Sequence, residues 1–177
     1  MEAFENAKIL HRNISVGNII ISDCGGLLIN WDFAKDIKDL GKISQQPFHR
    51  GTWQFMAAWL LQAKELAVHT QADDWESFFH VLSWVVLRFT RHGLNSAELT
   101  NELRTYNDSY LDSSKVHGGR NKKSCIKSWF ISSDAQIPPG SLLDLLKDLV
   151  NVCAIRYKDP PTKEAQERYE LSLQAVA

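Results

Sequence analysis

The stretch His11-Arg12-Asn13-Ile14-Ser15-Val16-Gly17-Asn18-Ile19-Ile20-Ile21 decides how the rest of the chain is read. Residues 11–18 read as a loop. Asn18-Ile19-Ile20-Ile21 then begins a short β-branched run. A second apolar run, Leu27-Leu28-Ile29, follows Asp23-Cys24-Gly25-Gly26, which carries strong turn chemistry, so a β-hairpin is expected here. Residues 31–53 hold Gly41, Pro47 and Gly51 with little periodicity. That predicts a long loop, and such loops are usually functional or mobile. Residues 2–8 read as the tail of a helix.

Beyond the long loop the sequence predicts only helices. Asp73-Asp74-Trp75-Glu76 opens the first, with Asp73 and Glu76 as expected cap partners. Trp75, Phe78, Phe79, Leu82, Val85, Val86 and Phe89 recur at helical spacing until Gly93, which implies a helix buried over much of its surface. Asn95 to Tyr106 is a second amphipathic helix, with Asn95 and Glu98 as cap partners. Residues 107–140 are polar and irregular, with Arg120, Lys122, Lys123 and Lys127 in the middle. They are expected as a solvated loop; a dock for an acidic or phosphorylated partner is the alternative. Ser141 is expected to cap a core helix, LLDLLKDLVNVCAI, and Pro160-Pro161-Thr162 to start a last helix ending near the C-terminus.

A length of 177 residues suits one domain with its own core. Hydrophobic residues at 44% against 23% charged argue for a folded chain. A net charge of −1 gives no electrostatic case for nucleic acid or an anionic membrane. Cys24, Cys125 and Cys153 are odd in number and far apart, so neither a disulfide framework nor a zinc site is suggested, and a reducing compartment fits. No apolar run approaches the roughly 20 residues that span a bilayer. The acidic, mixed start MEAFENAKIL is no secretory signal. Cytoplasm or nucleus is the expected location.

Four stretches in order resemble the C-terminal lobe of a protein kinase: HRNISVGN (11–18), LLINWDFA (27–34), RGTWQFMA (50–57) and DDWESFFHVL (73–82). The resemblance is nearest to the fungal-type protein kinase family. Its pattern runs His-Arg-Asp-Ile-Ser-x-Gly-Asn-Ile, then Ile-Asp-Trp-Asp-Leu-Ala, then Gly-Thr-Trp-Gln-Phe-Met. The resemblance implies a mainly α (α+β) fold: a kinase-like large lobe with one small β-hairpin and no N-terminal lobe. It implies one domain over 1–177, with a catalytic loop at 11–18, a metal loop at 30–32, an activation segment at 33–59 and a helical core at 73–175. The Gly-rich phosphate loop, the ATP-contacting Lys and its Glu partner are expected to be missing. A small lobe or another chain is then needed to cover the cleft.

The resemblance also implies residue roles in ATP- and Mg²⁺-dependent phosphate transfer to a protein Ser or Thr. Asn13 stands at the base position, where the family has Asp. Asn30 stands at the metal Asp, and Asn18 is the retained metal ligand. Ser15 belongs to the catalytic loop, Thr52 contacts the base, His11 and Arg12 support the loop, and Asp74 hydrogen-bonds its backbone from below. Trp59 stands where many kinases keep a Glu that pairs with a distant Arg, so that ion pair is expected to be absent.

Two of these substitutions bear on chemistry. An amide oxygen accepts a hydrogen bond but cannot take up a proton, and general-base help is worth about 10²–10⁴ in rate. Magnesium prefers carboxylates, whereas Asn18 and Asn30 offer two neutral oxygens. Asp32 could turn inward as a substitute ligand, although by resemblance it holds the glycine position. The chain alone is therefore expected to be catalytically impaired and to hold ATP and Mg²⁺ weakly. His49, His69, His80, His92 and His117 show no metal-ligand spacing; Trp53, Phe55 and Trp59 read as packing. The alternatives are an aminoglycoside- or choline-type small-molecule phosphotransferase, which shares residues 17–19 and 29–34 but not Arg12, Gly51-Thr52 or 73–77, and a non-catalytic interaction domain.

Overall fold

The computed structural model describes residues 6–23, 25–39, 51–63, 67–112, 115–128 and 135–158. Cys24, Gly41, Pro47, His49 and the helix expected from Pro160 lie outside these residues. So do residues 1–5, much of the activation segment and the end of the helical core.

Strand β1 (Ile9–Leu10) leads into the 11–15 loop and a 3-10 turn at Val16–Asn18. Strands β2 (Ile19–Ser22) and β3 (Gly25–Leu28) form the expected hairpin, with Ile19 opposite Leu28 and Ile20 opposite Leu27. Alternation splits the pairs between faces. Ile19 and Leu28 pack toward Ile14, Phe55 and Val81, while Ile20 and Leu27 face outward. A 3-10 turn at Trp31–Phe33 follows, and then β4 (Lys35–Asp36), which returns antiparallel to β1 with Ile9 opposite Asp36. Residues 11–18 and 29–34 are thus held side by side by one short ladder.

After a 3-10 turn at Trp53–Phe55 come α1 (Ala58–Gln62), α2 (Gln71–Phe89) and α3 (Ser96–Arg104). Strands β5 (Ser109–Asp112) and β6 (Lys115–Gly118), then α4 (Arg120–Lys127) and α5 (Ser141–Ile155), complete the order. The fold is mainly helical with small hairpins. The core lies between α2 and α5, where Phe79 and Val86 meet Leu146, Val150 and Cys153, with Ala58, Ile126 and Tyr157 closing the cluster. Fully burying each large side chain contributes about 1.5–3 kcal/mol.

Four expectations need correction. Among the described residues there are two hairpins, not one: residues 109–112 pair antiparallel with 115–118, Tyr110 opposite His117 with rings stacked at 5.8 Å, and Arg120 lies over Tyr110 at 3.7 Å. The basic run is no solvated loop; it forms α4, and Lys122 is wholly buried. Helix α2 is capped one turn earlier than expected. Thr70 is the N-cap, and Asp73 Oδ2 accepts from Thr70 N at 2.7 Å and from Thr70 Oγ1 at 2.8 Å. A short carboxylate at the third helical position reaches back over one turn, which leaves Glu76 free to point inward. Ser141 is the first residue of α5 and Gly140 takes the cap position. The Asn95–Glu98 capping box of α3 forms as read.

Candidate functional site

Asp74 anchors the site. It sits in the first turn of α2 and is buried. Its Oδ2 accepts from His11 N at 2.9 Å, and its Oδ1 accepts from Arg12 N at 3.0 Å and faces His69 Nε2 at 2.9 Å. One carboxylate thus satisfies two successive loop amides that the turn leaves without backbone partners. Arg12 adopts φ 67°, and its NH1 reaches the Phe33 carbonyl at 3.4 Å.

The hydrogen-bond partners of His11 assign a ring proton to Nε2. That nitrogen lies 2.9 Å from the Ile29 carbonyl, which only accepts, while Asn13 N donates to Nδ1 at 3.3 Å. The Trp31 ring meets it edge-on at 4.7 Å. His11 therefore ties the 11–18 loop to the strand leading to Asn30.

Asn13 Oδ1 accepts from both Thr52 N, at 3.0 Å, and Thr52 Oγ1, at 3.1 Å. Both lone pairs of the amide oxygen are spent on Thr52, which leaves Asn13 its NH₂ for any further partner, a donor and not a base. Gly51 makes this approach possible. Its φ is 125°, and a Cβ there would sit 2.8 Å from the Arg12 carbonyl oxygen.

Asn18 completes the cluster. Its Nδ2 donates to the Asn13 carbonyl at 2.7 Å, which fixes Oδ1 on the opposite side, and Asn30 Nδ2 donates to that oxygen at 3.3 Å. The amide orientations determine one another, because flipping Asn30 would set oxygen against oxygen. Asn30 is exposed and left-handed, φ 61° and ψ 67°, a conformation asparagine tolerates. Asp32 is exposed in the next turn and takes no part in the cluster. Ser15 is buried, and its carbonyl accepts from Asn18 N at 3.0 Å. Residues 13, 18, 30 and 52 are thus brought together, with His11, Arg12 and Asp74 beneath them. The side chains of the cluster offer a divalent cation neutral oxygens only, from three amides and the Thr52 hydroxyl. Among the described residues no group of three or more His, Cys, Asp or Glu is placed to hold a metal ion.

A second polar group, not read from the sequence, fixes residues 53–59 (Trp53 to Trp59). Glu76 Oε1 accepts from Ala58 N at 2.7 Å, and Oε2 accepts from Tyr157 Oη at 2.7 Å. Tyr157 Oη in turn accepts from Trp59 N at 3.0 Å. Lys122 Nζ donates to the Trp53 carbonyl at 2.9 Å and the Met56 carbonyl at 3.0 Å. Burial alone would raise the Glu76 carboxyl, but its bonds to His80, Tyr157 and Ala58 outweigh burial and leave it lowered. Burial lowers His80, with Lys122 adding to the effect and Glu76 opposing it. Burial brings Lys122 down to about 7 against the pull of Glu76 and Asp108, and lifts Tyr157 well above its ordinary value, helped by Glu76. The only signal for Glu76 was a carboxylate within an apolar helix face. Lys122 gave none, since it looks like its exposed neighbours Arg120 and Lys127.

Trp59, half exposed, has Arg156 above its ring at 5.2 Å, and Arg156 NH1 donates to Asp73 Oδ1 at 2.6 Å. A stacked cation and a carboxylate from α2 thus meet at this corner.

Residues 2–86 match the family model described as fungal protein kinase. The matched stretch contains Asn13, Asn18, Asn30, Thr52 and Asp74. No curated protein matches the chain.

Proposed function

We propose, from the match of residues 2–86 to the fungal protein kinase family model, that the chain is a protein kinase-like large lobe that retains the substrate-facing scaffold but does not transfer phosphate unaided. Asn13 and Asn30 replace the base and metal carboxylates, and the role left to the chain is protein binding. The observation that carries this reading is the bond from Asn30 Nδ2 to Asn18 Oδ1. An N–H donor stands where a kinase needs a cation, so one lone pair of the oxygen that would ligate magnesium is already taken. The residues present do not fit Mg²⁺, a hard cation that prefers carboxylates.

Two contacts favour the protein-kinase lineage over a small-molecule phosphotransferase: Thr52 on Asn13 and Asp74 beneath the loop. Ile20 (47% exposed) and Leu27 (57%), paired on the outward face of the hairpin, are apolar surface that a kinase small lobe would cover. Calorimetric titration with ATP and Mg²⁺ tests the reading. Binding no tighter than about millimolar, near −4 kcal/mol, is expected; micromolar binding overturns it.

A further inference from the structure

We propose that Lys122 is the positioning residue of the loop that faces Asn13: it grips the Trp53 and Met56 carbonyls and so sets where Thr52 meets the amide cluster. Lys122 comes from α4, far along the chain, and is fully buried. Both of its hydrogen bonds go to neutral carbonyls that bracket one turn of the loop. The residues just before it close the same contact. A Cβ on Gly118 would lie 2.6 Å from the Trp53 ring, and one on Gly119 would lie 2.8 Å from Ala58 Cα. Gln62 Nε2 also donates to the Gly119 carbonyl at 2.8 Å. The loop is therefore seated from the α4 side without any added modification.

Two acceptors match the two N–H groups of a neutral amine. Burial brings the Lys122 ammonium down to about 7, so in the seated loop the charged and uncharged forms are in balance near neutrality and the uncharged form gains as pH rises. The groups facing Lys122 are Glu76 and His80 on α2 and Asp108 ahead of β5. Glu102, Tyr106 and Cys125 line the same cavity of about 20 Å³, which has room for about one water. Of these, His80 is lowered by burial and Glu76 is lowered by its hydrogen bonds despite burial. Lys122 is the group whose folded value lies inside the window from pH 6 to 8. Its folded value lies below its exposed one, so an opening that wets it takes up a proton, and seating strengthens as pH rises through 7. Between pH 6 and 8 this amounts to about a tenfold change in the opening equilibrium.

The test is amide hydrogen exchange on the full chain, corrected for intrinsic rates, read at Phe55 and Met56. Both of these N–H groups bond to the Thr52 carbonyl. Their protection is expected to rise about tenfold from pH 6 to 8 while mid-helix amides of α2 stay level. In Lys122→Met the protection is expected to be lower at pH 8 and flat with pH. Wild-type protection that does not change with pH overturns the proposal. So does α2 moving in step with the loop, or a K122M variant that keeps the wild-type profile. Should K122M not fold, the wild-type loop-against-helix comparison decides alone. No nucleotide enters this test, so its failure is separate from failure of the reading above.

Discussion

Thr52 and Asn13 are joined twice through one oxygen: the Thr52 N–H and hydroxyl both donate to Asn13 Oδ1, at 3.0 and 3.1 Å. The amide is a structural acceptor at the position proposed for the base. Asn13→Ala strips both donors of their partner beside a buried loop. A loss of about 1–3 kcal/mol in urea unfolding is expected. Asn13→Asp keeps the geometry and is expected to unfold at or above the wild-type midpoint.

Asn30→Asp removes the donor to Asn18 Oδ1 and sets two acceptors against each other. Thermal unfolding in chelator is expected to show a loss of about 1 kcal/mol, recovered by millimolar Mg²⁺. A variant insensitive to Mg²⁺ would mean that residues 18 and 30 do not face one cation position.

Asp74→Ala leaves His11 N and Arg12 N without their acceptor. Hydrogen bonds to a charged group are worth about 1.5–3 kcal/mol each, so a loss of about 3 kcal/mol or more is expected in denaturant unfolding. Asp74→Asn keeps an acceptor for Arg12 and is expected to lose about half as much.

Glu76 gives a pH signature. Its folded value lies below the ordinary 4.5 because hydrogen bonds to its charged form outweigh burial. A carboxylate lowered by folding contributes stability above its unfolded value and loses it as pH falls through the folded one. Unfolding midpoints of the wild type are therefore expected to drop on acidification below about 4.5. Glu76→Gln is expected to show a shallower slope over that window, and an unchanged slope would remove Glu76 from the account.

The first half of the molecule was legible because its signals are local. Turn residues at 23–26 marked the β2–β3 hairpin, and Asn95 with Glu98 marked the start of α3. The α2 cap was misread by one turn because Asp73 serves two partners, Thr70 and Arg156, and the second lies 83 residues away. Residues 107–128 were misread for a related reason. Four-residue strands carry little periodicity, and Lys122 is buried only because Trp53 and Met56 offer carbonyls at its tip. At the site, residue identity gave Asn13, Asn18 and Asn30. It gave neither the direction of their hydrogen bonds nor the occupancy of the Asn18 oxygen, which follow from backbone placement.

The three amides at 13, 18 and 30 also bear on how the surface where they meet responds to solution conditions. With no charge to balance where they meet, neither ionic strength nor a chelator has purchase on that surface. The hydrogen bonds that join the three amides keep one arrangement across ionic environments.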